Sequence, residues 1–459
     1  MKVLKFGGSS VANSENIQKV LAIVKQESKN EKVAVVVSAF GKTTDQLISA
    51  GNKALKNIAE AKETLETIKK LHDQIITDLI TTHKKEVRSE VADLFKKLVS
   101  IYEGLYLLQE LSDKTLAKIS SFGERLSSLI IANAAKELFD ATHEESRKLI
   151  TTNNDYLNAQ VNFKITDVNI TSFFDKNKHQ VVFLGGFISS NSNHETTTLG
   201  RGGSDYSATI IGSCIKADEI WLMSDVDGLM TADPKIVKNA KLLKEVSYTE
   251  AIEMALFGAK QIHPRTFEPL LAKKIPMKIR NSFSTSNEGT LVTASPSASV
   301  KNTVKCVSNI RNNGLIDIRG GSMIGTPGTA AKIFATLAKA GINVMMISQN
   351  PSESSITIVV KNSDLDKAVS VLEMDLLGKI IKKLEVTTGV SIIALIGSGM
   401  RGTIGVASKV FAAIEKNKVN VSMITQGSSE LNLALVVKNS DTNSAVRAIH
   451  NAFTLDKIN

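Results

Sequence analysis

The feature that most constrains this chain is a pattern that occurs four times before residue 230: a short apolar run breaking into a loop of glycines or hydroxyls. Val3-Leu4 leads into Lys5-Phe6-Gly7-Gly8-Ser9-Ser10, and Val33-Ala34-Val35-Val36-Val37 into Ser38-Ala39-Phe40-Gly41 with Thr44 beyond. Val181-Val182-Phe183-Leu184 ends in Gly185-Gly186-Phe187, and Glu219-Ile220-Trp221-Leu222-Met223 in Ser224-Asp225-Val226-Asp227-Gly228. Unbroken apolar runs of this length read as strands buried on both faces, the mark of a parallel sheet. In open α/β sheets ligands bind where strand C-termini give way to loops, so four such loops on one edge predict a site. The first loop is the most informative. Its paired glycines let backbone N–H groups approach a phosphate, a helix is predicted over residues 14–28, and Lys5 supplies charge. The lysine precedes the glycines, so the spacing is not that of a Walker loop.

Three more motifs stand at fixed places downstream: Ser121-Phe122-Gly123-Glu124, Leu199-Gly200-Arg201-Gly202-Gly203-Ser204-Asp205, and Phe257-Gly258-Ala259-Lys260-Gln261-Ile262-His263-Pro264. Together with Lys5-Phe6-Gly7-Gly8-Ser9 they resemble the aspartokinases of the amino-acid kinase family, in order and spacing, over essentially all 459 residues. The resemblance implies an α/β fold, an amino-acid kinase sandwich with a mainly parallel central sheet, followed by two C-terminal α+β ACT units of βαββαβ order. It also implies an activity: transfer of the γ-phosphoryl of ATP to the side-chain carboxylate of L-aspartate, giving 4-phospho-L-aspartate on the route to lysine, threonine and methionine.

A carboxylate nucleophile is already ionised at neutral pH and needs no general base. The catalytic set should therefore be cations and backbone donors that align and neutralise the transferring group. Lys5 is the first candidate and Lys260 the second. Arg201, flanked by glycines, can grip a carboxylate in bidentate fashion, and Ser204 or Asp205 can cap the helix that follows. By resemblance, Arg201 holds the α-carboxylate of aspartate, Glu124 its α-ammonium, and Asp205 positions the catalytic lysines. Ser38, Ala39, Thr44, Gly202, Gly203 and Ser204 then line the aspartate pocket. On the ATP side fall Lys5, Phe6, Gly7, Gly8, Ser9, Ser224, Asp225, Met230, Lys235 and Lys260, with Asp233-Pro234 setting a turn. Met230 stands where a tyrosine is common in the family, and Lys235 where an arginine is. Mg²⁺ is expected to arrive with ATP and keep several waters, and no metal ligands are assigned among the side chains. His263, just before Pro264, reads as structural.

Composition narrows the alternatives. The net charge of +10 is spread over amphipathic helices, with no RNP motif or Arg-rich arm, so nucleic acid is not an expected partner. A basic surface of this kind attracts anionic substrates. No run of 18 apolar residues occurs, and the chain enters its first strand without an apolar leader, so the expected location is cytoplasmic, away from membranes. Cys214 and Cys306 are far apart and lack metal-ligand spacing, as in a reducing compartment.

Residues 1–293 read as the catalytic domain, with a Lys/Glu/Leu-rich helical insert at about 52–118, and residues 294–308 as a linker. Beyond it the chain repeats itself. The stretch from Met323 to Phe334 aligns without gaps to Met400 to Phe411, 77 residues on, and the same offset relates Gln349 to Gln426 and Ser352-Glu353 to Ser429-Glu430. The units are drawn as 309–389 and 390–459, and in the family one ACT unit can thread into the other. The repeat removes a decoy: Gly397-Ser398-Gly399-Met400-Arg401-Gly402 fits a dinucleotide fingerprint, but its counterpart Gly320-Gly321-Ser322-Met323-Ile324-Gly325 does not. An allosteric amino acid is expected at Met323, Ile324, Gly325, Gly328, Asn343, Val344, Gln349, Asn350 and Gln426. The Gln-x-x-Ser-Glu form at both repeats looks more like threonine-sensitive than lysine-sensitive members. A homodimer or homotetramer through the ACT units is expected. The chain stops after the second unit, which reads as a monofunctional enzyme without a fused homoserine dehydrogenase. The rivals are a catalytically silent amino-acid sensor of the same fold and another amino-acid kinase, against which Glu124 argues, since an N-acetylated substrate has no ammonium to pair.

Overall fold

Residue parity in the first strand sets the layers of the N-terminal unit. The computed structural model describes residues 1–258, 262–284, 287–296, 303–320 and 324–458. Its elements begin with β1 (Lys2–Phe6), α1 (Ser14–Glu27), β2 (Val33–Val37), α2 (Thr43–Ala54), α3 (Ile58–Leu79), α4 (Lys84–Leu108), α5 (Asp113–Lys136) and β3 (Ala141–Glu144). There follow α6 (Ser146–Leu149), β4 (Thr151–Thr152), α7 (Phe163–Lys176), β5 (Val181–Gly185), β6 (Ile188–Asn191), β7 (Thr196–Thr198), α8 (Gly203–Cys214) and β8 (Glu219–Ser224). The remaining elements up to residue 293 are β9 (Glu245–Ser247), α9 (Tyr248–Leu256), α10 (Glu268–Leu271), β10 (Met277–Asn281) and β11 (Thr290–Thr293).

The principal sheet has the order β3-β5-β2-β1-β8-β10-β11-β9, and β3, β5, β2, β1, β8 and β10 run parallel. Successive side chains along a strand face opposite sides. Leu4 and Phe6, with Val33, Val35, Val37, Trp221 and Met223, join the core built with α1 to α5. The alternate residues face α8. Gly212 of α8 lies so close that an added Cβ would sit 2.3 Å from Ile220 and 3.5 Å from Val3. Lys5 shares that second parity, and is delivered to the α8 side at the C-terminal edge of the sheet.

The chain divides into two compact units, the first comprising Met1–Leu229, Lys244–Tyr248 and Gln261–Pro296, and the second Met230–Leu243, Thr249–Lys260 and Ser297–Asn459. Within the second unit β12 (Cys306–Arg319), α11 (Thr329–Lys339), β13 (Val344–Gln349), β14 (Ser355–Lys361) and α12 (Asn362–Leu376) precede β15 (Lys383–Ile396), α13 (Val406–Lys416), β16 (Met423–Thr425), β17 (Asn432–Lys438) and α14 (Thr442–Ala452). One antiparallel sheet results, in the order β13-β14-β12-β15-β17-β16.

The repeats exchange strands in this sheet. Ile316 and Ile318 of β12 join Leu384 of β15 in the core under α11 and α12, whereas Val307 joins Ile393 and Leu395 under α13 and α14. Each long strand thus serves one repeat with its first half and the other repeat with its second. Ala232 and Val237 belong to the second of these cores, and Val307 N–H donates to the Thr231 carbonyl at 2.9 Å. The repeat persists at the level of single hydrogen bonds. Gly325 N–H donates to Glu353 at 2.9 Å, and 77 residues on Gly402 N–H donates to Glu430 at 2.7 Å. Among the described residues no helix is long and apolar enough to cross a membrane.

Candidate active site

Loops after β1, β2, β5 and β8 converge at one edge of the first unit's sheet. Gly7 N–H donates to the Met223 carbonyl at 3.3 Å and Gly41 N–H to the Gly8 carbonyl at 3.1 Å, so the glycine turn is tied to the neighbouring loops on both sides. Gly8 admits no side chain, since a Cβ would lie 2.8 Å from the Gly41 carbonyl oxygen. The turn then enters a short 3-10 segment, Gly8–Val11, whose first amides have no partner within it. Phe6 is wholly buried in the core, and Ser9 is exposed.

Beside this turn lies a cleft of about 270 Å³, lined by Lys5, Ser38, Thr44, Glu124, Phe187, Gly200, Gly202, Gly203, Ser204 and Asp205. Two larger hollows, of about 430 Å³ at α6 and α7 and about 550 Å³ at α2 and α3, contain no buried charged side chain. The smaller cleft carries two, Glu124 and Asp205, with the half-buried Lys5 beside them. Lys5 Nζ stands 2.5 Å from Asp205 Oδ1, a charge contact without the angles of a hydrogen bond. Asp205 is free to make it because neither it nor Ser204 caps α8, contrary to the sequence expectation. Gly202, left-handed at φ 71°, occupies the cap position, and Asp205 falls in the first turn where the helix dipole favours an anion.

Glu124, on α5, is the third charge. Its Oε1 accepts a hydrogen bond from Ala39 N–H at 3.3 Å, while its buried Oε2 has no hydrogen-bond partner among the described residues. Burial pushes this carboxyl up to about 8, against the opposing pull of the Ala39 amide, its own backbone and the Thr44 hydroxyl. A carboxylate oxygen without a hydrogen-bond partner among the described residues, on a side chain that lines a small cavity, is an acceptor open to an added cation. Close packing holds it there: a Cβ on Gly123 would come within 2.8 Å of both Ala39 Cβ and Thr44 Oγ1.

Arg201 is exposed rather than in the wall of the cleft, between Gly200 (φ 73°) and Gly202, and no acid pairs with it among the described residues. His263 packs behind this loop, so that a Cβ on Gly202 would meet His263 Cβ at 2.5 Å. The ring accepts the Arg265 amide at 3.3 Å, and burial followed by the Arg201 and Arg265 charges holds its pKa below the usual imidazole range. Its geometry is that of a support. Phe187 and Gly200 line the cleft without having been singled out from the sequence. Phe187 has φ 66°, an uncommon conformation for a bulky residue, imposed at the sharp turn after Gly185-Gly186.

The remaining expected residues divide. Ser224 closes β8, its carbonyl accepting Ser282 N–H at 2.8 Å, and Asp225 follows it exposed. Met230 and Lys235 belong to the second unit, where Asp233 Oδ1 accepts the Lys235 amide at 2.9 Å in the expected turn. Lys260 and Met323 lie outside the described residues. Of the expected effector residues, Ile324, Asn343, Gln349, Asn350 and Gln426 are exposed, Val344 is half-buried, and Gly325 and Gly328 have left-handed backbone.

Residues 1–281 match the family model of the amino acid kinase family, and residues 316–376 and 393–453 that of the ACT domain. The bifunctional aspartokinase/homoserine dehydrogenase of Buchnera aphidicola is 32% identical over 100% of this chain and 57% of its own length. The chain spans about half the length of the bifunctional relatives it matches. Aspartokinase 2, chloroplastic, of Arabidopsis thaliana is 31% identical over 98% of this chain and 84% of its own. The structure of E. coli aspartokinase III in complex with aspartate and ADP (R-state) matches with a TM-score of 0.84 at 28% identity, covering 98% of this chain and 99% of that one. The same enzyme in complex with lysine and aspartate (T-state) matches at 0.81, again at 28% identity, covering 99% of each chain. By the family match over its N-terminal 281 residues and the full-length likeness to aspartokinase 2, the chain belongs to the amino acid kinase family and, within it, to the aspartokinases.

Proposed function

We propose that this protein is an aspartate kinase, transferring the γ-phosphoryl of ATP to the side-chain carboxylate of L-aspartate to give 4-phospho-L-aspartate. The observation that carries the reading is the buried Glu124 carboxylate, with one oxygen unpartnered among the described residues, in a small cleft that also contains Lys5 and Asp205. A buried anion without a partner is costly, and an arriving α-ammonium relieves the cost. An amino acid supplies that ammonium; an N-acylated substrate does not. Arg201, exposed on its glycine loop and free to swing, takes the α-carboxylate. The substrate's side-chain carboxylate is then directed to the Lys5 and Gly7-Gly8 side, where the γ-phosphoryl is aligned and its charge met by Lys5, held by Asp205. Ser38, Ala39, Thr44, Gly202, Gly203 and Ser204 complete the amino-acid pocket, and Ser9, Ser224 and Asp225 serve the nucleotide.

Mg²⁺ enters with ATP. Such an ion is kept largely by the phosphates and water. Both cysteines are free and buried, with thiols pushed up to about 12 by burial, in keeping with a cytoplasmic enzyme. The exposed apolar residues Ile347 and Ile424 stand on the two edge strands β13 and β16, and support assembly into a homodimer or homotetramer through the ACT units. Feedback by threonine is the favoured regulation, on the amides of Gln349 and Gln426; lysine, bound in the E. coli neighbour, is the alternative.

An ADP-release assay tests the activity: turnover with L-aspartate, absent with glutamate and N-acetylglutamate, is expected. Release of ADP with neither aspartate nor another amino acid would leave a silent sensor. Titration with threonine and lysine, by rate and by calorimetry, decides the effector. If threonine acts through substrate affinity, aspartate must weaken threonine binding by the same factor.

A further inference from the structure

The Ser38–Ala39 peptide group lies between two side chains of α5. Its N–H, from Ala39, donates to Glu124 Oε1 at 3.3 Å. Its carbonyl, from Ser38, accepts the hydroxyl of Ser127 at 2.8 Å. Glu124 and Ser127 are three residues apart on α5 and so share one face of that helix. One peptide plane is therefore held at both ends by one helix face. Ser127 is 0% exposed, and its hydroxyl is shared with the Glu124 carbonyl at 3.3 Å, which fixes the rotor toward the same turn. Downstream, the Ser38 hydroxyl donates to Ser204 Oγ at 2.9 Å, next to Asp205 at the start of α8. Ser204 cannot yield, because Gly186 packs against it so tightly that a Cβ there would lie 2.7 Å from Ser204 Cβ.

We propose that Ser127, which is buried and not part of the cleft wall, is a positioning residue for amino-acid recognition: by gripping the Ser38 carbonyl it aims the Ala39 N–H at Glu124 and so sets the carboxylate that receives the α-ammonium. The proposal rests on the reading of Glu124 as the ammonium site. A peptide gripped only at its N–H can rotate about its Cα–Cα axis, and a rotated amide no longer favours the charged carboxylate. Burial is the main influence on this carboxyl, and the Ala39 amide is the first of the groups that pull it down against that influence. The charged groups facing Glu124 in the cleft are Lys5 of β1 and Asp205 of α8, with Arg201 at the exposed loop, and none of them is altered by a change at Ser127.

The test uses the full chain and the variants Ser127→Ala and Ser127→Thr. The kcat/KM for aspartate requires ionised Glu124, so its profile has an acid limb near the carboxyl's pKa. In Ser127→Ala the limb should move upward by roughly 0.3–1 pH unit, the scale of one lost hydrogen bond. The aspartate KM at pH 7 should rise about 3- to 10-fold. The KM for ATP and kcat at saturation should stay within about twofold, since uniform binding of one substrate is what is lost. Ser127→Thr keeps the hydroxyl and should restore the limb. If the alanine variant does not fold, Ser127→Cys, with similar volume and a weak donor, reads the same limb. An unmoved limb, or equal losses in both KM values, overturns the proposal and leaves Ser127 a packing residue. A wild-type aspartate KM in Glu124→Gln would instead sink the reading of Glu124 itself, so the two failures are distinct.

Discussion

Two buried glutamates, one in each unit, have been given opposite surroundings. Glu250 on α9 is 0% exposed, and meets Lys305 Nζ at 2.9 Å, the Ser398 amide at 2.9 Å and the Ser398 hydroxyl at 2.7 Å. Glu124 has one long backbone bond from Ala39 and an oxygen without a hydrogen-bond partner among the described residues. Desolvating a carboxylate is unfavourable by several kcal/mol, so a site that meets that need with its own cation and donors gains a fixed joint. A site that leaves it unmet gains an appetite for an external cation. The difference separates a structural charge from a functional one more reliably than burial does, because burial is the same in both.

The largest expected effect tests the structural member. Glu250→Ala should cost about 3–5 kcal/mol, because it leaves Lys305 buried without its carboxylate, read as a loss in denaturant midpoint. Replacing Glu250 and Lys305 together by apolar residues should recover most of that loss. Glu124→Gln, by contrast, should leave the empty protein at pH 7 no less stable. If both glutamates proved equally destabilising to remove, the distinction between them would collapse.

On the functional side, Lys5→Ala should lower kcat by roughly 10²–10³, the scale for losing a preorganised donor to the transferring group, while the thermal melt is retained. Near-normal turnover in the folded variant removes Lys5 from the mechanism. Arg201→Ala should weaken aspartate by about 1.5–3 kcal/mol and ATP hardly at all, the range for a charged hydrogen bond at an exposed side chain. An equal loss for both substrates would break the division of labour between Arg201 and the phosphate side.

How much of this was legible beforehand follows the range of the signal. The strands and their glycine loops were legible because apolar runs and turn residues are local. Lys5 and Asp205, 200 positions apart, could be paired from motifs but not from spacing; strand parity and the absence of a side-chain cap on α8 are what join them. The 77-residue repeat was visible, but the strand exchange between β12 and β15 was not, since an alternating pattern states which residues are buried and not against which helix. For the same reason nothing in residues 230–243 announces that Ala232 and Val237 join a core with α13 and α14. Phe187 was read only as the end of a glycine loop, with no role assigned, and Ser127 lacked a motif altogether. Ser127's only signal is its place one turn beyond Glu124 on a helix whose buried residues mix small with large.

Per pH unit, the smallest expected effect is also the most specific, because it comes from the sign of one shift. Burial raises the Glu124 carboxyl from 4.5 in the unfolded chain to about 8 in the folded one. Between these two values the folded protein holds a proton that the unfolded chain has released, so the stability of the empty protein falls as pH rises through that window. The contribution is fully present below 4.5 and lost above about 8. The slope can be at most about 1.4 kcal/mol per pH unit, a few degrees in Tm. Aspartate reverses the trend locally. Its ammonium favours the ionised carboxylate, so binding is tighter where Glu124 is already charged, and a fixed aspartate concentration should raise Tm more at pH 8.5 than at pH 6.5. Glu124→Gln should remove this site's pH-dependent share of both effects together. Glu250 provides the control: Glu250→Gln should lower Tm at every pH without removing the aspartate-dependent difference between the two. A difference that survived in Glu124→Gln but vanished in Glu250→Gln would exchange the roles assigned to the two carboxylates.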